Sequence, residues 1–203
     1  MTTTETSRTR RLEPDARRQQ ILRCAVRQFG ERPYASVSTG ELAEDAGVTR
    51  GLIHHYFGTK RGLYLEVVRL MVMVPEPEEA APVEGTLEER VELSVDWFLG
   101  AVRPHGKTFV AVTGAEGVGT DPEIETLLAE ADDLAARSVL RIVGIDGGSA
   151  QQRAMIRAYG GLVKASVREW VRDGTLTQQE VRELLTKSLL TIVRDVFPPH
   201  PSN

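Results

Sequence analysis

The 203-residue chain has a single cysteine, Cys24, and aromatic residues make up only 5% of it. One cysteine cannot form an internal disulfide, and a lone thiol in an apolar helical pattern is typical of packing in a reducing compartment. No apolar run reaches the roughly 18 residues that a membrane span needs, and the polar N-terminus lacks the apolar core of a signal peptide. The sequence therefore predicts a cytoplasmic protein with no membrane partner.

Recognisable catalytic and metal-binding patterns are also missing. The glycine-rich segment 114–119 has no strand before it and no Lys-Ser or Lys-Thr pair after it, so it does not resemble a phosphate loop. His54 and His55 are adjacent, and neighbouring residues on a helix point about 100° apart, which disfavours shared metal ligation. We expect no enzymatic activity, no metal and no cofactor.

Charge is distributed unevenly along the chain. The formal net charge is -4, but residues 1–65 hold 11 Lys and Arg against 7 Asp and Glu, which leaves the rest of the chain at -8. The positively charged region is the one that could face phosphate groups. Residues 1–13 contain almost no apolar side chain and are predicted to form a disordered basic arm.

Apolar residues recur at helical spacing throughout the chain, and no segment shows the alternation of a strand. The pattern predicts a first helix from Asp15 to Gly30 and a loop or linker over residues 75–85. Asp121 followed by Pro122 is typical of a helix start, as is Thr177 followed by Glu180 three residues later. The fold class is therefore predicted to be all-α.

The most informative segment is 38–60, which reads STGELAEDAGVTRGLIHHYFGTK. Ser38 and Glu41 have the spacing of a capping box, Gly47 supplies a turn, and Thr49 can cap a second short helix. Two short helices joined in this way form a helix-turn-helix, and the start of the second one reads the major groove of DNA.

We predict base or backbone contacts with DNA from Thr49, Arg50, Gly51 and His54. His55, Tyr56 and Lys60 can donate to phosphate oxygens, and Lys60 lies beside the start of the next helix. The predicted DNA-binding set is Ser38, Thr49, Arg50, Gly51, His54, His55, Tyr56 and Lys60. The arginines at 17, 18, 23 and 27 lie on one helix face, either as solvated side chains or as further phosphate contacts.

This segment resembles the DNA-binding region of the TetR family of bacterial transcriptional regulators. The resemblance covers about fifty residues, from Arg17 to Val67, and rests on Ser38, Leu42, Ala43, Ala46, Gly47, Val48, Tyr56, Phe57, Lys60 and Leu63. The family usually has Tyr in place of His54 and commonly has Glu in place of Arg61. We expect His54 to make a similar phosphate contact and Arg61 to add positive charge near the DNA.

The resemblance implies a three-helix DNA-binding unit at residues 14–62 and a larger helical domain at 63–203 that binds an effector and forms a homodimer. The apolar pattern of the last helix agrees, because it is too wide for a helix with one solvated face. The predicted dimer interface comprises Tyr159, Val163, Val167, Trp170, Leu185, Leu189, Ile192 and Val196.

An effector pocket is predicted mainly from the few aromatic residues. Any single one of them could instead belong to the core or to the dimer interface. The set is Met71, Trp97, Phe98, Phe109, Glu116, Tyr159 and Trp170, which favours an apolar or amphipathic small molecule. The sequence thus predicts a dimeric repressor that binds a palindromic operator and is released by an effector. The alternative is a helical interaction protein without operator specificity.

Overall fold

The computed structural model describes residues 14–73, 84–114 and 121–197. The predicted basic arm, most of the predicted linker at 75–85, and Glu116 lie outside these ranges. Within them the secondary structure is helical, without strands, and the predicted fold class is confirmed. No helix in the described ranges is long and apolar enough to cross a membrane.

Nine α-helices follow one another along the described parts of the chain. They are α1 (Pro14–Glu31), α2 (Thr39–Asp45), α3 (Arg50–Phe57), α4 (Lys60–Val72), α5 (Leu87–Val102), α6 (Gly106–Thr113), α7 (Pro122–Ile142), α8 (Ala150–Val171) and α9 (Gln178–Thr191), and a π-helical turn at Ile192–Val196 extends α9.

Side-chain caps fix where most of these helices begin. Ser38, Ser149 and Thr177 each form a capping box with the residue three positions later. Asp121 accepts a hydrogen bond from the amide of Glu123 at the head of α7. Each cap satisfies an amide that has no partner within its helix, and the starts at Ser38, Asp121 and Thr177 agree with the ones that the sequence predicts.

Two main clusters of buried residues hold the helices together. The first is built on Ile21, Phe29 and Leu42 of the N-terminal helices and continues without a break into Val112 of α6 and Leu127 of α7. The second joins α5, α7, α8 and α9. The N-terminal unit is therefore packed directly on α6 and α7, and α4 belongs to both halves of the molecule.

Glycine allows α1 and α6 to approach closely. Gly30 lies against Thr108, and a Cβ atom added to Gly30 would fall 2.9 Å from the Thr108 amide nitrogen and 3.1 Å from its Cα. The hydroxyl of Thr108 donates a hydrogen bond to the carbonyl of Val26 at 2.7 Å. The sequence predicts the end of α1 at Gly30, but the helix continues to Glu31 because Gly30 serves this contact rather than a turn.

Candidate functional site

Helices α2 and α3 form a helix-turn-helix. Gly47 occupies the turn with a φ of +61°, a conformation that glycine adopts without steric cost. The amide of Val48 donates to the Ala43 carbonyl at 2.8 Å, and Ile53 buries its side chain in the N-terminal core. Thr49 caps α3 by accepting from the amide of Leu52. These contacts fix the angle at which α3 projects from the unit.

The first turns of α3 present an exposed surface. Thr49, Arg50, Gly51, His54 and His55 are all exposed, whereas the side chain of Ile53 faces the core. A groove-reading helix needs this arrangement, because its N-terminal side chains must reach base edges without leaving the fold. Ser38 is exposed as well, but its hydroxyl already accepts a hydrogen bond from the amide of Glu41.

Arg50 lies across the neighbouring helix α2. A Cβ atom added to Gly40 would meet the Arg50 guanidinium, with the Cζ atom 2.9 Å away. Gly40 thus leaves room for Arg50 to lie along α2 in the free protein. Any side chain at position 40 would move the guanidinium, although a flexible arginine can shift at small cost.

Tyr56 and Lys60 lie beside this surface and are partly buried. The Lys60 ammonium is placed over the ring of Tyr34, 4.2 Å from its centroid, and partial burial lowers the pKa of Lys60. Tyr34 in turn packs edge-on against Tyr64. The aromatic contact holds the Lys60 charge next to the start of α4. There the ammonium and the exposed backbone amides can together attract a phosphate group.

Two of the four arginines of α1 form contacts with other helices of the N-terminal unit. Arg27 forms an ion pair with Asp45, and Arg18 forms one with Glu66 while lying over the ring of Phe57. Both contacts tie α1 to α2, α3 and α4. In the free protein Arg18 and Arg27 therefore form contacts within the subunit, which neither of the two interpretations of the sequence includes.

The expectation that Arg61 adds positive charge near the DNA is wrong. Its guanidinium donates to both carboxylate oxygens of Asp121, at 2.7 and 2.9 Å, and also pairs with Glu123 at 2.7 Å. This bidentate pair joins the start of α4 to the start of α7, 60 residues later. Sequence reasoning missed it because a partner so far along the chain leaves no local pattern.

The Arg61 ion pair should make stability depend on pH. The hydrogen bonds from Arg61 lower the pKa of Asp121 to about 2, whereas its unfolded value is about 3.9. Because the folded pKa is the lower one, the stabilisation is complete above about pH 4 and is lost as the pH falls toward 2.

We therefore expect Asp121→Ser, which keeps a cap on α7, to lower the Tm at neutral pH, by a margin that shrinks as the pH is lowered to about 2. Thermal unfolding followed by circular dichroism measures the difference. Asp121→Ala also removes the cap and should be less stable than Asp121→Ser at every pH. A margin for Asp121→Ser that does not change with pH would contradict this account.

A cavity of about 220 Å³ lies between α5, α7 and α8. Its walls are mostly apolar and include Trp97, Phe98, Phe109 and Tyr159, four of the seven residues predicted for an effector pocket. The hydroxyl of Tyr159 donates to the Leu185 carbonyl at 3.1 Å, and burial raises the pKa of this phenol. The phenol therefore stays protonated and acts as a fixed donor.

Two residues predicted for the pocket lie elsewhere. Met71 is buried in the N-terminal core, where the inner face of α4 directs it, and the cavity is lined instead by Val72. Trp170 packs against the C-terminal core near the end of α8, away from the cavity. Sequence reasoning also missed Gly160, Asp132 and Lys164, which line the cavity but carry no local signal of a pocket.

Half of the residues predicted for the dimer interface are interior residues of the subunit. Tyr159, Val167, Leu185 and Leu189 are each at most 6% exposed, because they fill the core between α8 and its neighbours. Val163 lines the cavity, and Trp170 and Ile192 are partly buried against the C-terminal core. Val196 is the one member of the set that is largely exposed, at 50%.

The residues exposed on the outer faces of α8 and α9 are mostly not the ones predicted for the dimer interface. Ala154, Ala158 and Gly161 follow one another along the outer side of α8. A side chain added at Gly161 would meet no atom of the subunit within 4 Å. Leu184 projects from α9 and is 39% exposed. Small residues on an outer helix face let another helix approach closely.

The exposed start of α3 and the turn before it form a helix-turn-helix surface that suits DNA binding. Residues 21–67 match the family described as "Bacterial regulatory proteins, tetR family". The resemblance seen in the sequence is thereby confirmed for the N-terminal region, which matches that family of DNA-binding transcriptional regulators over residues 21–67.

Related proteins agree with this assignment. The HTH-type transcriptional activator FasR of Mycolicibacterium smegmatis is 27% identical over 168 residues, which cover 80% of this chain and 76% of FasR. The HTH-type transcriptional regulator BetI of Agrobacterium fabrum is 38% identical over 61 residues, covering 30% of this chain and 29% of BetI. Both are named as regulators, and the prediction that the chain is not an enzyme is confirmed.

Solved structures show the same fold. A tetR-family transcriptional regulator from Streptomyces coelicolor superposes with a TM-score of 0.76 at 21% identity, covering 91% of this chain and 86% of the other. The likeness therefore extends through the C-terminal helices, beyond the DNA-binding region.

Proposed function

We propose that the protein is a dimeric repressor that binds a palindromic operator through α3 and releases it when a small molecule occupies the cavity. The exposed start of α3 on a helix-turn-helix carries the proposal, because Thr49, Arg50 and His54 are exposed where a recognition helix meets base edges. We retain residues 14–62 as the DNA-binding unit and 63–203 as the effector-binding and dimerisation domain.

Three helices connect the cavity to the DNA-binding unit. Val72 at the end of α4 lines the cavity, while Lys60 at its start lies beside the DNA surface. Phe109 of α6 lines the cavity, and its neighbour Thr108 bonds to α1. Leu128 of α7 lines the cavity, and the same helix begins at the Arg61 ion pair. A ligand that favours another packing of these helices would shift the orientation of α3.

We place the proposed dimer interface on the outer faces of α8 and α9, around Ala158, Gly161 and Leu184. One short recognition helix contacts few base pairs, so a second copy is needed to supply the other half-site about one helical turn, or a multiple, away. In a dimer with two-fold symmetry, these faces of one subunit would pack against the same faces of the second subunit.

The test is a binding selection of the purified full chain against random duplex DNA at near-physiological salt, where non-specific attraction is weak. Recovery of a palindromic motif is the expected result and gives an operator for further work. If a folded protein enriches no motif, the proposal fails and the interaction protein without operator specificity takes its place.

Two substitutions separate base reading from phosphate binding on that operator. We expect Arg50→Ala to weaken specific binding by about 1–3 kcal/mol and to relax the preference at one base position. Lys60→Ala should weaken binding to all sequences and reduce the slope of log K against log salt by about 0.9 for each subunit, or about 1.8 for the dimer. Arg103→Ala removes one positive charge from the exposed turn after α5 and is the matched control. A salt slope that Lys60→Ala leaves unchanged would refute the phosphate contact.

The direction of regulation needs a separate measurement. FasR is named as an activator, and ligand-controlled release from an operator would then end activation rather than repression. A reporter gene placed behind the selected operator distinguishes the two, because its expression in the presence of the protein falls for a repressor and rises for an activator.

A further inference from the structure

The cavity concentrates its charge in a few side chains. Leu93, Trp97 and Phe98 of α5 face apolar residues of α7 and α8 across it. Among the residues that the structure describes, the charged ones that line it are Arg90, Arg157, Lys164 and Asp132, three cations and one anion. A ligand must therefore be mainly apolar, and any charge that it carries is favoured to be negative.

Lys164 is the cation best placed to receive that charge. It follows Gly160 and Val163 on the cavity face of α8, and its ammonium donates to both carboxylate oxygens of Asp132 at 2.7 Å. The side chains of Lys164 and Asp132 are 29% and 39% exposed, so water competes with this pair. Pairs of such exposure contribute little to stability, and an incoming carboxylate can replace Asp132 at small cost.

The other cations of the lining reinforce this choice. Arg157 is held by Asp133 at 3.1 Å on the same side of the cavity, about two helical turns before Lys164. In the described part of the lining, a ligand with an ammonium group would find one carboxylate, that of Asp132, among three positive charges. A ligand carboxylate would instead keep Lys164 paired and leave Asp132 to solvent.

We propose that the cavity binds a single-chain amphiphile whose carboxylate contacts Lys164 and whose hydrocarbon chain lies against Trp97 and Phe98. This inference rests on the proposed ligand cavity and names the class of ligand. The volume of about 220 Å³ lies below the range of about 300–1,000 Å³ found for drug-sized sites, which favours a small ligand such as a chain of medium length.

The experiment measures binding of three probes of equal chain length to the full-length protein without DNA. Decanoate, decanol and decylammonium are titrated at about pH 7.5, and binding is followed by the fluorescence of Trp97. The protein carries the substitution Trp170→Phe, which removes the other tryptophan of the chain, so that the signal comes from Trp97 alone. We expect decanoate to bind at least about tenfold more tightly than decanol, and decylammonium to bind most weakly.

Two variants assign the preference to the Lys164 site. Lys164→Met should make decanoate and decanol bind equally, and Asp132→Asn should strengthen decanoate binding because it frees the ammonium. Lys107→Met is the matched control and should change nothing, because Lys107 is exposed on α6 and does not line the cavity. A preference for decanoate that survives in Lys164→Met would overturn the assignment to Lys164.

The outcomes separate this inference from the proposed function. Equal binding of decanoate and decanol to the wild-type protein overturns the proposed contact between a ligand carboxylate and Lys164. The cavity would then remain a site for an apolar ligand. Failure of all three probes, in a protein that selects a palindrome, overturns the ligand class and leaves the DNA-binding function intact. Tight decanoate binding by a protein that selects no DNA motif supports the ligand class and contradicts the repressor.

Discussion

Gly160→Leu should abolish binding of decanoate and decanol and leave operator binding unchanged. Gly160 lines the cavity, and a Cβ atom added there would meet no atom within 4 Å, so a leucine side chain can enter the space that the ligand would occupy. The same variant should be more stable by about 1–3 kcal/mol, because it gains helix propensity and buries an apolar side chain. Trp97 fluorescence, gel-shift titration and chemical denaturation measure the three effects.

Gly100→Leu is the matched control for Gly160→Leu. Gly100 lies within α5 and is exposed, and a Cβ atom added there would also meet no atom within 4 Å, but Gly100 does not line the cavity. The control variant should gain about 0.8 kcal/mol from helix propensity alone and bind both probes normally. If Gly160→Leu still bound decanoate as the wild type does, the ligand would have to bind outside this cavity.

Local signals explain the features that can be predicted from the sequence. A helix start depends on residues within one turn, and Ser38, Thr49, Asp121 and Thr177 occupy cap positions as their spacing predicts. The helix-turn-helix can be predicted for the same reason, because its glycine, its small residues and its cap lie within about twenty positions of one another.

The missed features depend on contacts between distant segments. The partner of Arg61 comes 60 residues later, and a favourable charge near DNA and an ion pair inside the protein look alike in the sequence. Apolar residues on a helix with two contacting faces also give no sign of which face is buried. Leu185 and Leu189 therefore looked like interface residues, although they fill the core of the subunit.

Gly30→Ala should destabilise the protein by about 1–3 kcal/mol, although the same change inside a helix normally stabilises it by up to about 1 kcal/mol. The added methyl group would meet Thr108, including its backbone nitrogen at 2.9 Å, and a helix backbone cannot move aside as a flexible side chain does. Helices α1 and α6 would have to separate, which strains the hydrogen bond from Thr108 to Val26.

Chemical denaturation of Gly30→Ala and Gly100→Ala compares the changes in the free energy of unfolding. Both substitutions lie within helices, but of the two glycines only Gly30 has atoms of another helix where the new methyl group would lie. Gly100→Ala should be more stable than the wild type and Gly30→Ala less stable. Equal stabilisation by both would mean that α1 and α6 can part without loss, and α6 would then be too loosely attached to pass a change at the cavity to the DNA-binding unit. Opposite signs would show that α6 is tightly packed on α1, as the proposed release of the operator requires.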